Sequence, residues 1–307
     1  MTRLTYGACL CGALTAPGSL AGQAAERTMV MVQEVAWSAD GRTLFFSAMR
    51  VKPDFSDYRP EKWAVYAHAL SSDTVRLVAR SAFSVGASPQ GDRLVVGKLV
   101  DGNRDLMVLG HDGNELTRLT AHPGEDFGAA WSPDGRRLAF TSKRNGHSEV
   151  FVAEADGSNP RRLIDAGAAR TFNPAWSPDG RLIAYYRETG DGADQIHVVA
   201  PDGTGDRNVT NDGFNNVYPG WTPDGRVVYG QGQKGRPTNA FTVGVDGSGK
   251  QPLLGIKSFF TRFSPDGRRV AYLEEHPEAD GVRVIIADRE GKVLGTVPLD
   301  RVGAGGP

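Results

Sequence analysis

Few residues in this chain stand where chemistry would need them. Glu125 beside Asp126, and Asp191 near Asp194, are carboxylate pairs of the kind acid–base catalysis uses when one group keeps a proton that its neighbour lacks. His122, His147 and His276 are imidazoles that loops would carry to one face, yet no two share a metal-ligand spacing. Cys9 and Cys11, the only two cysteines, would need ligands from elsewhere to hold a metal. A Gly-x-Ser-x-Gly elbow is absent. Acid–base work needs a geometry that adjacency in sequence does not supply. The lone carboxylates and histidines therefore read as solvated or hydrogen-bonded surface groups. No catalytic residue, metal site or cofactor is assigned.

The elements that carry these residues announce themselves by repetition. A five-residue phrase returns six times, at Trp37–Gly41, Ala87–Gly91, Trp131–Gly135, Trp176–Gly180, Trp221–Gly225 and Phe263–Gly267, in steps of 42 to 50 residues. Three copies read aromatic-Ser-Pro-Asp-Gly and the other three vary it at one or two positions. Proline presets φ at the first turn position and glycine supplies the left-handed residue that closes the turn. Asp-Gly pairs recur in step farther along the unit, at Asp112, Asp156, Asp202 and Asp246. Each unit thus holds four short β-rich runs divided by turn chemistry, and a period in this range marks a repeat architecture.

Six four-stranded antiparallel units predict an all-β chain, a six-bladed β-propeller over residues 26–303, with blades beginning near residues 34, 84, 128, 173, 218 and 260. Ala36, Gly86, Ala130, Ala175 and Gly220 precede the aromatic position, as crowding of inner strands at an axis would require. The Trp or Phe that follows would wedge between blades. Two units depart from the pattern. The second has Ala87 and Gln90 in place of the aromatic and Asp, and the last places Arg262 where the others are small. The last unit also has its own fourth run, Lys292–Val297, leaving Thr28–Val32 spare. This spare run is expected to close the ring on the outer edge of blade six, covering an open strand edge.

These units resemble the TolB-type, WD40-like propeller repeat over about residues 34–300. The resemblance implies the propeller fold, and with it periplasmic or cell-envelope partners and protein docking. It does not itself specify a function.

Composition bounds the rest. A net charge of −1 with Lys and Arg spread through the units excludes a nucleic-acid stripe. Residues 1–25 carry Arg3, a modest apolar run from Leu4 to Thr15 and small residues after Pro17, which reads as a signal peptide or N-terminal anchoring segment. That run is too short and too polar for a membrane span. Residues 304–307 form a tail.

The loops that differ between units are the binding candidates: Glu125, Asp126, Arg170, Asn215, Asn216, Tyr218, Phe260 and Arg262. Blade one adds a long insertion between its second and third strands that exposes Phe55, Tyr58 and Arg59. Aromatic and Arg residues on loops anchor protein interfaces. The reading is a non-catalytic protein-binding propeller, periplasmic or otherwise exported. It would be an accessory or scaffolding subunit of a larger envelope or membrane-associated complex. The alternatives are a hydrolase or lyase at the channel mouth, or a small-ligand or ion sensor.

Overall fold

In the computed structural model, which describes residues 28–190, 193–232, 238–276 and 281–303, the recurring turn is built by its own side chains. Ser38 Oγ donates to Asp40 Oδ1 at 2.6 Å, Asp40 Oδ1 accepts the Arg42 N–H at 3.0 Å, and Ser38 Oγ accepts the Thr43 N–H at 2.9 Å. The same set recurs at Ser132/Asp134, Ser177/Asp179 and Ser264/Asp266. The hydrogen bond from the serine hydroxyl, more than any other neighbour, holds each of these four carboxyls below the usual range. The closing glycines, Gly41, Gly135, Gly180 and Gly267, have φ between 66° and 70°, where a side chain would be strained. In the second unit Gln90 accepts from Ser88 at 2.9 Å and donates to the Asp134 carbonyl of the next blade at 3.1 Å.

Among the described residues the strands form six four-stranded antiparallel sheets, each made of four consecutive strands. The chain is an all-β, six-bladed propeller. Blade one runs Met29–Trp37, Thr43–Val51, Ala64–Ala69, Thr74–Arg80, and blade six Thr261–Phe263, Arg269–His276, Gly281–Asp288, Val293–Thr296. The innermost strands of the blades between are Ala82–Ala87, Asp126–Trp131, Thr171–Trp176 and Asn215–Trp221.

The core lies between blades. Trp37 packs with Phe260, Ala271 and Ile286 of blade six, Trp176 with Ala139 and Val150 of blade three, and Trp221 with Ala184 and Ile196 of blade four. Two indoles also staple blades together. Trp37 Nε1 donates to the Arg262 carbonyl at 3.1 Å and Trp221 Nε1 to the Ala175 carbonyl at 2.9 Å. The small residues beside them are needed for clearance. A Cβ on Gly86 would stand 2.5 Å from the Ala129 carbonyl oxygen of the next blade.

Closure differs from the expectation. Thr28–Val32 does not pair with blade six. Met29–Val32 lengthens the innermost strand of blade one, Met29 opposite Val51 and Val32 opposite Ala48. The second strand runs on to Val51 and offers that length, while Met29 and Val32 point into the core. The ring is instead clasped by its last residues. Arg50 donates from Nε to the Val302 carbonyl at 2.8 Å and from Nη2 to the Leu299 and Asp300 carbonyls at 3.0 and 3.1 Å. The Gly303 N–H donates to Tyr66 Oη at 3.1 Å, and Val302 is fully buried beside Tyr66 and Val75. The leader expected over residues 1–25 and the tail at 304–307 lie outside the described residues.

Three substitutions test this architecture in urea-unfolding measurements. Gly86→Ala is expected to cost about 2–3 kcal/mol by overpacking against a backbone oxygen; a cost near zero would show that the inner strands have slack. Arg50→Met, which keeps the stem and removes these three hydrogen bonds and a fourth to Thr28 Oγ1, should cost about 1–3 kcal/mol. Trp176→Ala should cost about 3–5 kcal/mol as a core truncation.

Candidate functional site

The inner strands bulge at one level. Register shifts fall around Glu34, Ser84, Phe127–Ala130, Asn173 and Tyr218, where the strand turns from the loops toward the axis. Gly128, Asn173 and Tyr218 take φ of 61°, 50° and 53° there. For a tyrosine that conformation is strained and must be held by its surroundings. Tyr218 is held among rings, 5.7 Å from both Phe259 and Phe260 and 6.0 Å from Tyr186, which in turn stacks on Phe172 at 5.1 Å. The result is an aromatic arc across blades four to six.

Below this level a channel of about 480 Å³ runs along the axis to the Ser-Pro turns. Its walls are the tryptophans, prolines and small residues of the repeat, and among the described residues its only charged lining groups are Glu34 and Arg262. Glu34 reaches from blade one across the channel. Its Oε2 accepts the Val85 N–H of blade two at 3.2 Å and its Oε1 accepts Asn173 Nδ2 of blade four at 3.3 Å. Burial pushes the Glu34 carboxyl up to about 7, with Arg262 and the Val85 N–H opposing. Arg262 lies with its guanidinium carbon 4.0 Å from the Phe260 ring centre, and its Nη1 donates to the Thr261 carbonyl at 2.9 Å. Burial lowers it to about 10, against the attraction of Glu34. Gly220 makes room for it, since a Cβ there would stand 2.7 Å from Nη1.

The loops between blades and those between second and third strands share one face, as shown by Lys143 N–H donating to the Glu125 carbonyl and Glu188 N–H to that of Arg170. The candidate residues divide on this face. Glu125 is half-buried between Lys143 at 2.5 Å and Arg104 at 3.6 Å. Arg170 pairs with Glu188. Phe55 is exposed with φ 58°, and Arg59 is exposed beside it. Tyr58 turns inward onto a cluster of Met29, Met49, Val51, Trp63 and Phe83. Asn215 is half-buried, with its Oδ1 enclosed and without a partner.

Three candidates are interior, a correction to their expected place on the surface. Asp126 is fully buried and paired with Arg144 at 3.2 Å; Asn216 is fully buried, bonded to Asp212 and Gln231 at 2.8 Å each. Phe260 is core. Asp126 and Asn216 sit in the strand at the root of their loops, and Phe260 directly precedes its strand. Sequence reasoning missed Glu34, although it is the one acidic residue three positions before the aromatic in any unit. His147 stands 3.6 Å from the buried Glu149, while Asp191 and the side chain of His276 lie outside the described residues.

The charge state of Glu34 makes stability depend on pH. Its carboxyl takes up a proton at about 7 in the fold, against 4.5 ordinarily. A raised carboxyl pKa stabilises fully below the unfolded value, and that contribution is lost as pH rises through the folded one. Glu34→Gln should therefore gain on the parent chain between about pH 5 and about pH 8, by on the order of 2–3 kcal/mol in urea unfolding. A difference that does not change with pH would contradict this.

The sequence model of the TolB beta propeller domain matches residues 25–261. The Tol-Pal system protein TolB of Syntrophus aciditrophicus is 40% identical over 53 residues, 17% of this chain and 12% of that protein. Matched stretches span 12% to 36% of the length of the curated relatives. A TolB-type structure from Agrobacterium tumefaciens superposes with a TM-score of 0.63 at 22% identity, covering 74% of this chain and 85% of that one. TolB from Acinetobacter baumannii gives 0.63 at 16% identity, covering 86% and 62%. An oligogalacturonate lyase in complex with manganese gives 0.57 at 15% identity, covering 87% and 77%. At such identities the structures speak for the fold alone. The match to the family model, which takes in most of the chain, shows that the chain belongs to the TolB β-propeller domain family.

Proposed function

We propose that this propeller is a non-catalytic protein-docking module of the cell envelope, an accessory or scaffolding subunit that engages its partner through the loop face. The observation that carries the reading is the chemistry of that face. A rigid disc presents Phe55 and Arg59 on the blade-one insertion, with Arg170 and Glu125 on neighbouring loops. The insertion is held in shape by Asp57, which accepts the Lys52 N–H at 2.7 Å and pairs with Lys62 at 2.5 Å, and by a 3₁₀ turn at Pro60–Lys62. An exposed aromatic on a pre-shaped loop loses little entropy on binding. Aromatic and Arg residues at the centre of a polar rim are the usual anchors of protein interfaces.

Similarity to the Tol-Pal protein TolB supports an envelope setting and protein partners. A periplasmic or otherwise exported location follows from the same reading, as does the absence of any role for nucleic acid. No helix among the described residues is long and apolar enough to cross a membrane.

Partner capture from gently solubilised envelope tests the proposal. The double change Phe55→Ser with Arg59→Ala should lower recovery of the stoichiometric partner roughly tenfold or more, with an unchanged melting curve. Arg181→Ala, on the opposite turn face, should leave recovery intact. Equal recovery by all three proteins would place docking elsewhere, and capture of no partner at all would refute the module.

A further inference from the structure

The axial channel poses a question the loop face does not answer. Five of the six units place alanine or glycine just before the aromatic position, and the sixth places Arg262 there, with Gly220 clearing space for it. Arg262 is underused. Its guanidinium makes one hydrogen bond among the described residues, to the carbonyl of its own neighbour, and lies over the Phe260 ring. The one acidic group in the channel, Glu34, is engaged elsewhere, by Val85 of blade two and Asn173 of blade four. The two charges attract through the channel but form no close ion pair. A guanidinium with spare N–H groups at the edge of an apolar cavity is arranged for a planar oxyanion, which its fork meets with two parallel hydrogen bonds.

We infer that the channel binds a small organic carboxylate, its acid group on Arg262 and its apolar body against the Trp37, Trp176, Trp221 and Phe263 walls. The volume, about 480 Å³, suits a compact aromatic or branched acid. Glu34 sets the pH response. The groups facing it are Arg262 from blade six, the Val85 N–H from blade two and the Asn173 amide from blade four, and no other charged side chain among the described residues lines the channel. An arriving carboxylate repels ionised Glu34 and not protonated Glu34. Binding therefore draws a proton onto Glu34 and tightens as pH falls through about 7. This inference stands apart from docking at the loop face.

Titration of the full chain with 4-fluorobenzoate, followed by fluorine NMR, tests it. Saturable binding is expected, and 4-fluorobenzamide, of the same shape without the charge, should bind at least roughly tenfold more weakly. Arg262→Gln should abolish binding of the acid, Arg262→Lys should retain part of it, and a melting curve on each variant separates loss of the site from loss of the fold. Glu34→Gln should bind at a pH-independent affinity. A phenylalanine-terminated tripeptide separates the sources of a carboxylate: if it binds where 4-fluorobenzoate does not, the small-acid assignment fails in favour of a chain terminus. Equal binding of acid and amide, or full binding by Arg262→Gln, would overturn the site itself.

Discussion

Six inner strands converge on one axis, and the clearance they leave each other is the constraint on which the rest depends. At Gly86 a single methyl group would already meet a backbone oxygen of the next blade at 2.5 Å. At that level five blades carry alanine or glycine, and in the sixth Arg262 fits beside Gly220, so most of the bulk that fills the gaps between blades comes from the next residue, the Trp or Phe of the turn phrase. The aromatic in turn needs its strand to end in a defined turn, and the Ser–Asp hydrogen bonds supply that. Small residue, aromatic, serine, aspartate and glycine are therefore one solution to one packing problem, repeated around the ring.

Closure obeys the same economy of contacts. Among the described residues every blade is made of consecutive strands, including the sixth, and no strand crosses from one end of the chain to the other. The ends are joined by side chains: Trp37 to the Arg262 carbonyl, and Arg50 to three carbonyls of residues 299–302. One guanidinium satisfying three backbone oxygens does the work of a short strand edge. The extra length of Met29–Trp37 goes to the second strand of its own blade, where its alternating apolar residues find the core.

This distinction explains what the residues revealed in advance. Turns and inter-blade wedges depend on local chemistry that recurs at a fixed period, and six copies of Ser-Pro-Asp-Gly or its variants made the fold plain. Closure depends on contacts between residues 225 or more positions apart, which no local pattern records. The candidate surface was partly legible for a similar reason. Phe55 and Arg59 sit on an insertion and are exposed, whereas Asp126 and Asn216 already belong to a strand, Phe260 directly precedes one, and all three are drawn inside. Distance from the strand end, a matter of bulge geometry, separated the two groups. Glu34 escaped notice because its role comes from partners in blades two and four.

The two proposed recognition surfaces are distinct: a loop face with an exposed, pre-shaped insertion, and an axial channel whose charged lining among the described residues is Arg262 and Glu34. Docking through the loop face is the central functional claim. The most direct test is photo-crosslinking in intact cells, with a benzophenone amino acid placed at positions 55 and 170 on the loop face and at 181 and 290 on the turn face. The account predicts a discrete crosslinked adduct from the loop-face positions and none from the turn face. Adducts from the turn face alone, or from no position, would contradict it.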